Sequence, residues 1–150
     1  MPNVAVSGGF DPVHIGHIRM ILEAATYKKE IVDAKITSGR LFVFLNSDDW
    51  LRRKKGYVFQ SFSERAEILS VIQGVDMVIP VYDNDDTVCE TIKQFLKAGD
   101  IFCNGGDRFP ENTPELKTCC DLGIQMKFNV GGEKIQSSSE LIRKVTENVL

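Results

Sequence analysis

The chain begins with a short apolar run, a pair of glycines and a segment of helical periodicity. Val4-Ala5-Val6 has strand character, Ser7-Gly8-Gly9 allows a tight turn, and apolar residues then recur at helical spacing from residue 18 onwards. A helix that opens at a glycine turn presents unpaired N–H groups and the positive end of its dipole. This strand, turn and helix therefore predict an anion-binding site at the first turn of an α/β fold.

Two histidines lie three positions apart just after the glycines. If His14 and His17 share the turn or one helical face, both imidazoles can direct N–H donors at the same oxygens. His-x-x-His on a helix can also bind a metal, and a histidine near a core is often only a hydrogen-bonded structural residue. Neither alternative uses the glycines, and the chain has no other histidine. The pattern favours a phosphate site.

The string Gly8-Gly9-Phe10-Asp11-Pro12-Val13-His14-Ile15-Gly16-His17 closely resembles the signature of the cytidylyltransferase-like nucleotidylyltransferases, which have a His-x-Gly-His turn. The resemblance implies that His14 and His17 contact a nucleoside triphosphate and stabilise charge while its α-phosphorus is attacked. It also implies a set of nucleotide contacts in this turn. These are Gly8, Gly9, Phe10, Asp11 and Gly16, with Asp11 placed to contact the second substrate as well.

Composition limits the other function classes. With 150 residues, 43% hydrophobic and 26% charged, the chain is expected to form one domain over residues 1–150. The net charge of −3 provides no broad field for nucleic acid or an anionic membrane, so an anion site requires a local basic cluster. No apolar run reaches membrane-spanning length and no secretory pattern is present, which predicts a cytoplasmic protein. The four cysteines lack disulfide or metal-ligand spacing and are expected to be free thiols.

A second strand leads into polar and then basic residues. Residues 41–45 are all apolar, as in a parallel strand covered on both faces, and Asn46 and Asp48 follow them. Ligands bind at this end of the strands in open α/β sheets, so the basic run can reach a triphosphate at the first turn, although a solvated charged face is the alternative. The family has a comparable strand, loop and lysine-rich segment. The resemblance implies Asn46 and Asp48 as acceptor contacts, and Lys54 or Lys55 as a catalytic residue.

An arginine opens the next helix. Ser61 and Glu64 have capping-box spacing, and Gly74 follows as a stop signal. Arg65 lies in the first turn, where the helix dipole disfavours a cation unless an anion is near. The family has a helix start of this kind with its arginine close to the phosphates. The resemblance therefore implies Arg65 as a catalytic donor, with a surface ion pair as the alternative.

A second pair of glycines follows a later strand, as in the first turn. Gly105-Gly106 follow a short apolar strand and can line a nucleotide pocket with bare backbone. They resemble the Gly-Gly-Asp loop of the family, which implies nucleotide contacts by Gly105 and Asp107, and we assign Arg108 to the acceptor.

The last helix opens with three serines. Ser137, Ser138 and Ser139 can simply cap the helix, but three hydroxyls at a helix N-terminus also suit a phosphate. The family has a comparable Ser/Thr element near the triphosphate, preceded in some members by an arginine that this chain lacks. Lys134 is the residue that could substitute for it.

Strands and helices alternate along nearly the whole chain with short connections. This order predicts a Rossmann-like, doubly wound, parallel five-stranded sheet in three α/β/α layers. Residues 30–36 are expected to extend the first helix up to Ser38-Gly39, in a stretch longer than the family usually has. The acidic loop 83–86 is expected to be a solvated turn before the next helix.

The resulting functional hypothesis is direct nucleotidyl transfer, assisted by positioning and by cationic donors. A phosphate oxygen of the acceptor attacks the α-phosphorus, and pyrophosphate leaves with Mg²⁺; no metal site made by the protein alone is expected. The resemblance is nearest to glycerol-phosphate cytidylyl- and heptose-phosphate adenylyltransferases, so the acceptor is a phosphorylated sugar or polyol and CTP ranks slightly ahead of ATP. Alternatives are adenylyltransferases of the nicotinamide-mononucleotide or phosphopantetheine kind, a non-catalytic nucleotide-binding module, and an aminoacyl-tRNA synthetase fragment. Neither nucleic acid nor membrane is an expected partner, and a homodimer stays open.

Overall fold

Five parallel strands form the central sheet of the computed structural model, which describes residues 1–106, 108, 110–133 and 135–149. In chain order the strands are β1 (Val4–Gly8), β2 (Lys29–Val32), β3 (Lys35–Ser38), β4 (Leu41–Leu45), β5 (Met77–Pro80), β6 (Ile101–Cys103) and β7 (Gln125–Lys127). The helices are α1 (Ile15–Tyr27), α2 (Asp48–Lys55), α3 (Phe62–Ser70), α4 (Cys89–Phe95), α5 (Glu115–Leu122) and α6 (Ser138–Val149). Within the described ranges, no helix combines the length and the apolar character that a membrane span requires.

The sheet order is β5-β4-β1-β6-β7, and each neighbouring pair is parallel. The chain moves from β1 outwards to β4 and β5, then returns to the other side of β1 to form β6 and β7. The direction of winding therefore reverses beside β1, and a crevice at the carboxyl ends of β1 and β6 is the expected ligand site. The predicted Rossmann-like, doubly wound fold is confirmed.

Helices cover both faces of the sheet, which explains why β4 is apolar throughout. Its alternate residues Leu41, Val43 and Leu45 pack with α1 and α3, whereas Phe42 and Phe44 pack with α4 and α5. All five side chains are buried, Phe42 with 6% exposure and the others with none. We call the two sides of the sheet the α1 face and the α4 face; the three-layer arrangement follows from them.

The expectation that residues 30–36 extend α1 is wrong. The helix ends at Tyr27, and β2 and β3 form an antiparallel hairpin outside the main sheet. Asp33 and Ala34 turn the chain with φ angles of 51° and 62°, the left-handed values of a two-residue hairpin turn. The β-branched Ile31 and Ile36 face each other across the strands, an arrangement that favours a strand over a helix.

Differences in burial predict which cysteine thiols react. All four cysteines are free; Cys120 is exposed, while Cys103 and Cys119 are buried, and burial raises the pKa of each buried thiol to about 12. Because the thiolate is the reactive form, iodoacetamide at pH 7.5 should label Cys120 and leave Cys103 and Cys119 unmodified until the protein unfolds. Mass spectrometry of peptides before and after denaturation checks this order, and equal labelling of all cysteines in the native state would contradict it.

Candidate functional site

A cavity of about 340 Å³ opens at the carboxyl end of the sheet, at the expected crevice. Most of the site residues named from the sequence line it. They are Gly8, His14, Gly16, His17, Asn46, Lys55, Gly105, Arg108, Ser137, Ser138 and Ser139. Others named from the sequence are not in its wall, namely Gly9, Phe10, Asp11, Asp48, Lys54 and Arg65. Asp107 and Lys134 lie outside the residues that the structure describes.

The two histidines form the N-terminal cap of α1. The backbone N–H of Gly16 donates to His14 Nδ1 at 3.1 Å, and the backbone N–H of His14 donates to His17 Nδ1 at 3.2 Å. Both Nδ1 atoms are therefore acceptors, so each neutral ring carries its proton on Nε2. The rings stack with their centroids 3.8 Å apart and 26° between their planes. The cap thus fixes the tautomer of both imidazoles and aligns them side by side.

Gly9 and Phe10 pack on the side of the histidine turn that faces the protein interior. Phe10 is 2% exposed, adopts a φ of 50°, and places its ring centroid 4.7 Å from that of His17. A Cβ atom on Gly9 would lie 2.8 Å from Leu51 Cδ2, so a larger residue here would force the Leu51 side chain of α2 to shift. Gly9 and Phe10 therefore shape the turn without entering the cavity, in contrast to the nucleotide contacts implied by the resemblance.

Asp11 is also turned away from the cavity. Its side chain is fully buried, and its two oxygens accept hydrogen bonds from the backbone N–H groups of Phe59 and Gln60 at 2.7 and 2.6 Å. A carboxylate with both oxygens used in this way is not placed to bind nucleotide or acceptor. Asp11 instead ties the segment between α2 and α3 to the first turn, which corrects the expectation from the sequence.

Arg65 occupies the centre of the structure that supports the site. It has no solvent exposure, and its guanidinium donates to the carbonyls of Gly9 at 2.8 Å, Asn46 at 2.9 Å and Gln60 at 3.0 Å, and to Asp48 Oδ1 at 2.6 Å. These bonds use four of the five N–H donors of the guanidinium. Arg65 is therefore directed at protein groups and not at the cavity, and Asp48 is its ion-pair partner, with a side chain that is 30% exposed.

The structure separates the two candidate lysines. Both belong to α2, which is capped by Ser47 and ends at Gly56 in the left-handed conformation. Lys54 is exposed, with Nζ 5.9 Å from the centroid of the Trp50 ring, whereas Lys55 is half-buried and lines the cavity. Because successive helix residues point about 100° apart, only one of two neighbours faces a given cavity, and here it is Lys55.

The serines bring the last helix to the first turn. The backbone N–H of Glu140 donates to Ser137 Oγ at 3.1 Å, and Ser138 Oγ donates to the carbonyl of Pro12 at 2.8 Å. Two serines therefore have structural bonds, one capping α6 and one holding it beside the histidine turn, while all three line the cavity. The N-terminus of α6 faces the same space as the N-terminus of α1.

One functional support was missed because the acidic loop was expected to be solvated. Asp83 is 4% exposed and accepts hydrogen bonds from Ser47 Oγ at 2.8 Å, the Ser47 backbone N–H at 2.8 Å and Asn46 Nδ2 at 3.2 Å. Arg53 donates to the Asp83 carbonyl at 2.8 Å and pairs with Asp86 at 3.0 Å. The expectation is wrong for Asp83, whose position directly beyond a strand end was the available signal.

Two further cavity residues were not singled out in the sequence. Asn104 follows β6 directly, and Glu115 opens α5; both are buried and both line the cavity. Asn104 stood beside the glycine pair, so its position at a strand end was a usable signal. Glu115 looked like an ordinary acidic residue in a first helical turn, and nothing in its local sequence distinguished it.

Among the described residues, the carboxylates do not form a metal site of their own, because no group of three or more His, Cys, Asp or Glu side chains converges as metal ligands would. Mg²⁺ is commonly held by one or two carboxylates, several waters and substrate phosphates. A magnesium ion that enters with a nucleotide is therefore part of that substrate.

Comparison with known proteins identifies the family of this chain. The family model described as cytidylyltransferase-like matches residues 5–145. The protein named bifunctional protein HldE from Azorhizobium caulinodans is 33% identical over 150 residues, which cover 94% of this chain and 27% of that protein. Its counterpart from Cronobacter sakazakii is 29% identical over 148 residues, covering 97% of this chain and 28% of that protein. The chain thus spans little more than a quarter of these relatives.

Solved structures show the same fold. The crystal structure of a lipopolysaccharide core biosynthesis protein from Thermoplasma volcanium aligns with a TM-score of 0.64 and 25% identity, covering 85% of this chain and 93% of that one. A bifunctional NMN adenylyltransferase/ADP ribose pyrophosphatase from Francisella tularensis aligns with a TM-score of 0.61 and 15% identity, covering 99% of this chain and 43% of that one, a likeness of fold. The chain belongs to the cytidylyltransferase-like family of nucleotidyltransferases.

Proposed function

We propose that the chain transfers a nucleoside monophosphate from CTP or ATP to a small phosphorylated acceptor of the sugar or polyol class and releases pyrophosphate. The observation that carries this proposal is the cap of α1. Because both Nδ1 atoms accept backbone hydrogen bonds, His14 and His17 each keep an N–H on Nε2, and the stacked rings lie in the wall of one cavity. Two parallel N–H donors suit neighbouring oxygens of a polyphosphate.

The reaction is an in-line displacement at the α-phosphorus. A phosphate oxygen of the acceptor forms a new P–O bond, and the bond between the α-phosphorus and the bridging oxygen to the β-phosphate breaks, so that pyrophosphate leaves with the electron pair. Negative charge grows on the oxygens around the α-phosphorus and on the leaving group. His14, His17 and the Lys55 ammonium are the donors proposed to stabilise that charge, and Ser137 to Ser139 with the N-terminus of α6 bind the phosphates.

The remaining parts of the site hold these donors in place. Arg65 and Asp11 join the first turn, the end of β4 and the start of α3, and Asp83 fixes the start of α2, which carries Lys55. Such fixed positions matter because donors aimed in advance need no rearrangement as charge develops. Mg²⁺, when bound to the triphosphate, would neutralise part of its charge.

A release assay tests the proposal. The protein is incubated with each of ATP, CTP, GTP and UTP, in the presence of Mg²⁺, against glycerol 3-phosphate, hexose 1-phosphates, a heptose 1-phosphate, nicotinamide mononucleotide and phosphopantetheine, and pyrophosphate is measured. We expect release with CTP or ATP that depends on a sugar or polyol phosphate. Release dependent on nicotinamide mononucleotide or phosphopantetheine would replace the acceptor class. Nucleotide binding without any release would favour a non-catalytic nucleotide-binding module.

The two neighbouring lysines provide a matched pair of variants. Lys55→Ala removes the ammonium that lines the cavity and is expected to lower turnover by about 100-fold, the usual order for loss of one charge-stabilising donor. Lys54→Ala removes the same group from the exposed side of α2 and should change turnover by less than about 3-fold, because surface contacts contribute little. Steady-state pyrophosphate release measures both; equal losses would contradict the separate roles of the lysines.

A further inference from the structure

The cavity has two chemically different halves, because strand side chains alternate between the two faces of the sheet. His14 caps α1 and His17 lies in its first turn, where the His17 ring packs on Phe10, a residue of the core on the α1 face. On β6, Phe102 packs on the α4 face and Cys103 on the α1 face, so Asn104 continues on the α4 face. The half of the cavity on the α4 face therefore has no histidine, and its wall contains Asn104, Glu115 and the apolar Val88 and Phe102.

The side-chain amide of Asn104 has an N–H group without a hydrogen-bond partner among the described residues. Its backbone is fixed, since its N–H donates to the carbonyl of Lys127 at 2.8 Å and its carbonyl accepts from the N–H of Val130 at 3.0 Å. The side chain is 8% exposed, and its Nδ2 has no hydrogen-bond partner among the described residues. A half-turn about χ2 exchanges Nδ2 and Oδ1 without changing shape, so either end of the amide can be offered to the cavity.

Only one oxygen of the Glu115 carboxylate accepts a hydrogen bond from the described residues. It is 6% exposed, and the bond that the described residues make to it runs from the backbone N–H of Val88 to Oε1 at 3.1 Å. This bond joins the starts of α4 and α5 and holds the carboxylate in the cavity wall. A buried carboxylate gains from further donors, and a ligand hydroxyl is a donor that can fill this role.

We infer that Asn104 and Glu115 are specificity-determining residues that bind hydroxyl groups of the acceptor and so select a polyhydroxy phosphate. This inference rests on the proposed function for its link to an acceptor. A hydroxyl both donates and accepts, which matches a carboxylate acceptor and an amide donor in the wall of one cavity. Val88 and Phe102 offer apolar surface to the carbon chain, as in sites that combine apolar walls with a few placed polar groups.

Charge orients the same acceptor. The Glu115 carboxylate repels a phosphate, whereas Arg108 and Lys55 line the cavity as cations. Arg108 is held by a bond from Nη1 to the carbonyl of Asn112 at 3.2 Å. The acceptor phosphate therefore lies towards these cations and towards the histidine half, where the α-phosphorus is attacked, and the hydroxyl groups point to Asn104 and Glu115. An acceptor whose carbon skeleton carries no hydrogen-bonding groups besides the phosphate would leave both buried groups without partners.

Calorimetric binding of matched phosphates tests the inference without turnover. Glycerol 3-phosphate is compared with propyl phosphate, which keeps the three-carbon chain, and mannose 1-phosphate with cyclohexyl phosphate, which keeps a six-membered ring; both comparison compounds lack the hydroxyls. The wild-type protein should bind the hydroxylated member of at least one pair about 10-fold more tightly, or better, since an unmet buried polar group costs at least that. Equal affinity within both pairs would overturn the inference.

Three variants test whether Asn104 and Glu115 cause the difference in affinity between hydroxylated and hydroxyl-free phosphates. Glu115→Gln keeps an oxygen for the Val88 N–H and replaces the other oxygen by an amide, and Asn104→Leu and the isosteric Asn104→Asp remove the amide donor. Each should lower the affinity ratio of the discriminating pair by about 3-fold or more, with unchanged affinity for the nucleotide. Glu111→Gln, an exposed residue outside the cavity wall, is the matched control and should keep the wild-type ratio.

The outcomes separate the inference from the proposed function. If pyrophosphate is released and the variants retain the wild-type ratio, the function stands and the roles of Asn104 and Glu115 are refuted. If the variants lose the ratio but the wild-type protein releases no pyrophosphate with any substrate, the hydroxyl-binding pair stands and the proposed transfer reaction fails. In an active protein, the variants should raise the KM for the acceptor and leave the KM for the nucleotide unchanged.

Discussion

Replacing His14 by asparagine is expected to lower nucleotidyl transfer by about 100-fold or more and to leave the fold intact. His14 has two separable roles: its Nδ1 caps α1 by accepting from the N–H of Gly16, and its Nε2–H is a proposed donor to the triphosphate. Asparagine is among the best capping residues, so it supplies an oxygen for the cap while removing the imidazole. Thermal unfolding measures the capping role, and steady-state pyrophosphate release measures the role as a donor.

Companion variants make the result specific to the imidazoles. His14→Ala removes the cap as well and should lose about 1 kcal/mol of stability in addition to activity. Because the two rings act on one triphosphate, the double variant with alanine at His14 and His17 should be less than additive in its loss of turnover. Wild-type turnover in His14→Asn, or in the double variant, would refute the catalytic assignment.

Replacing Arg65 by leucine is expected to destabilise the protein by about 3–5 kcal/mol, as measured by denaturant unfolding. The guanidinium is fully buried, and its removal leaves the carbonyls of Gly9 and Asn46 and the Asp48 carboxylate without this donor. Arg65→Lys should restore little of the loss, because a single ammonium cannot reproduce five donors in a fixed plane.

An exposed arginine provides the control for this substitution. Arg52→Leu, which removes a surface pair with Asp49, should change the unfolding free energy by no more than about 0.5 kcal/mol. The contrast also decides between the two roles considered for Arg65. An Arg65→Leu protein of wild-type stability that had lost only turnover would contradict the positioning role and favour direct contact with phosphate.

Features set by neighbouring residues were predictable from the sequence. The strand, glycine turn and helix at residues 4–27, the cap of α3 by Ser61, and the end of α5 at Gly123 depend on residues within a few positions of one another. The parallel sheet followed from the continuous apolar character of β4 and from the alternation of strands and helices. These local signals were sufficient for the fold and for the location of the cavity.

Features set by distant residues were not predictable in this way. Arg65 points to Gly9 and Asn46, which lie 56 and 19 positions away in the chain, so its first-turn location alone could not show whether it faces ligand or protein. Asp11 likewise finds its partners 48 and 49 positions later. Asp11 and Arg65 are both charged residues that join distant segments of the chain, and only the folded structure reveals their partners.

Other errors came from local geometry without a sequence signal. The hairpin turn at Asp33 and Ala34 is left-handed at both positions without glycine or asparagine, the residues that usually announce it. The choice between Lys54 and Lys55 required knowing which face of α2 points to the cavity. The Ser47 cap fixes where the helix begins, but its highly charged sequence gives no clear apolar face from which to predict this orientation.

The most direct test of the central claim is a long-range ¹H–¹⁵N NMR titration of the histidine rings with a non-hydrolysable analogue of ATP or CTP. The chain has only two histidines, so both rings can be assigned by single substitution. We predict that both rings are Nε2–H tautomers in the free protein and that both Nε2–H signals shift as the analogue binds, while Nδ1 stays unprotonated. Nδ1–H tautomers, or bound analogue with unchanged signals from both rings, would contradict the account.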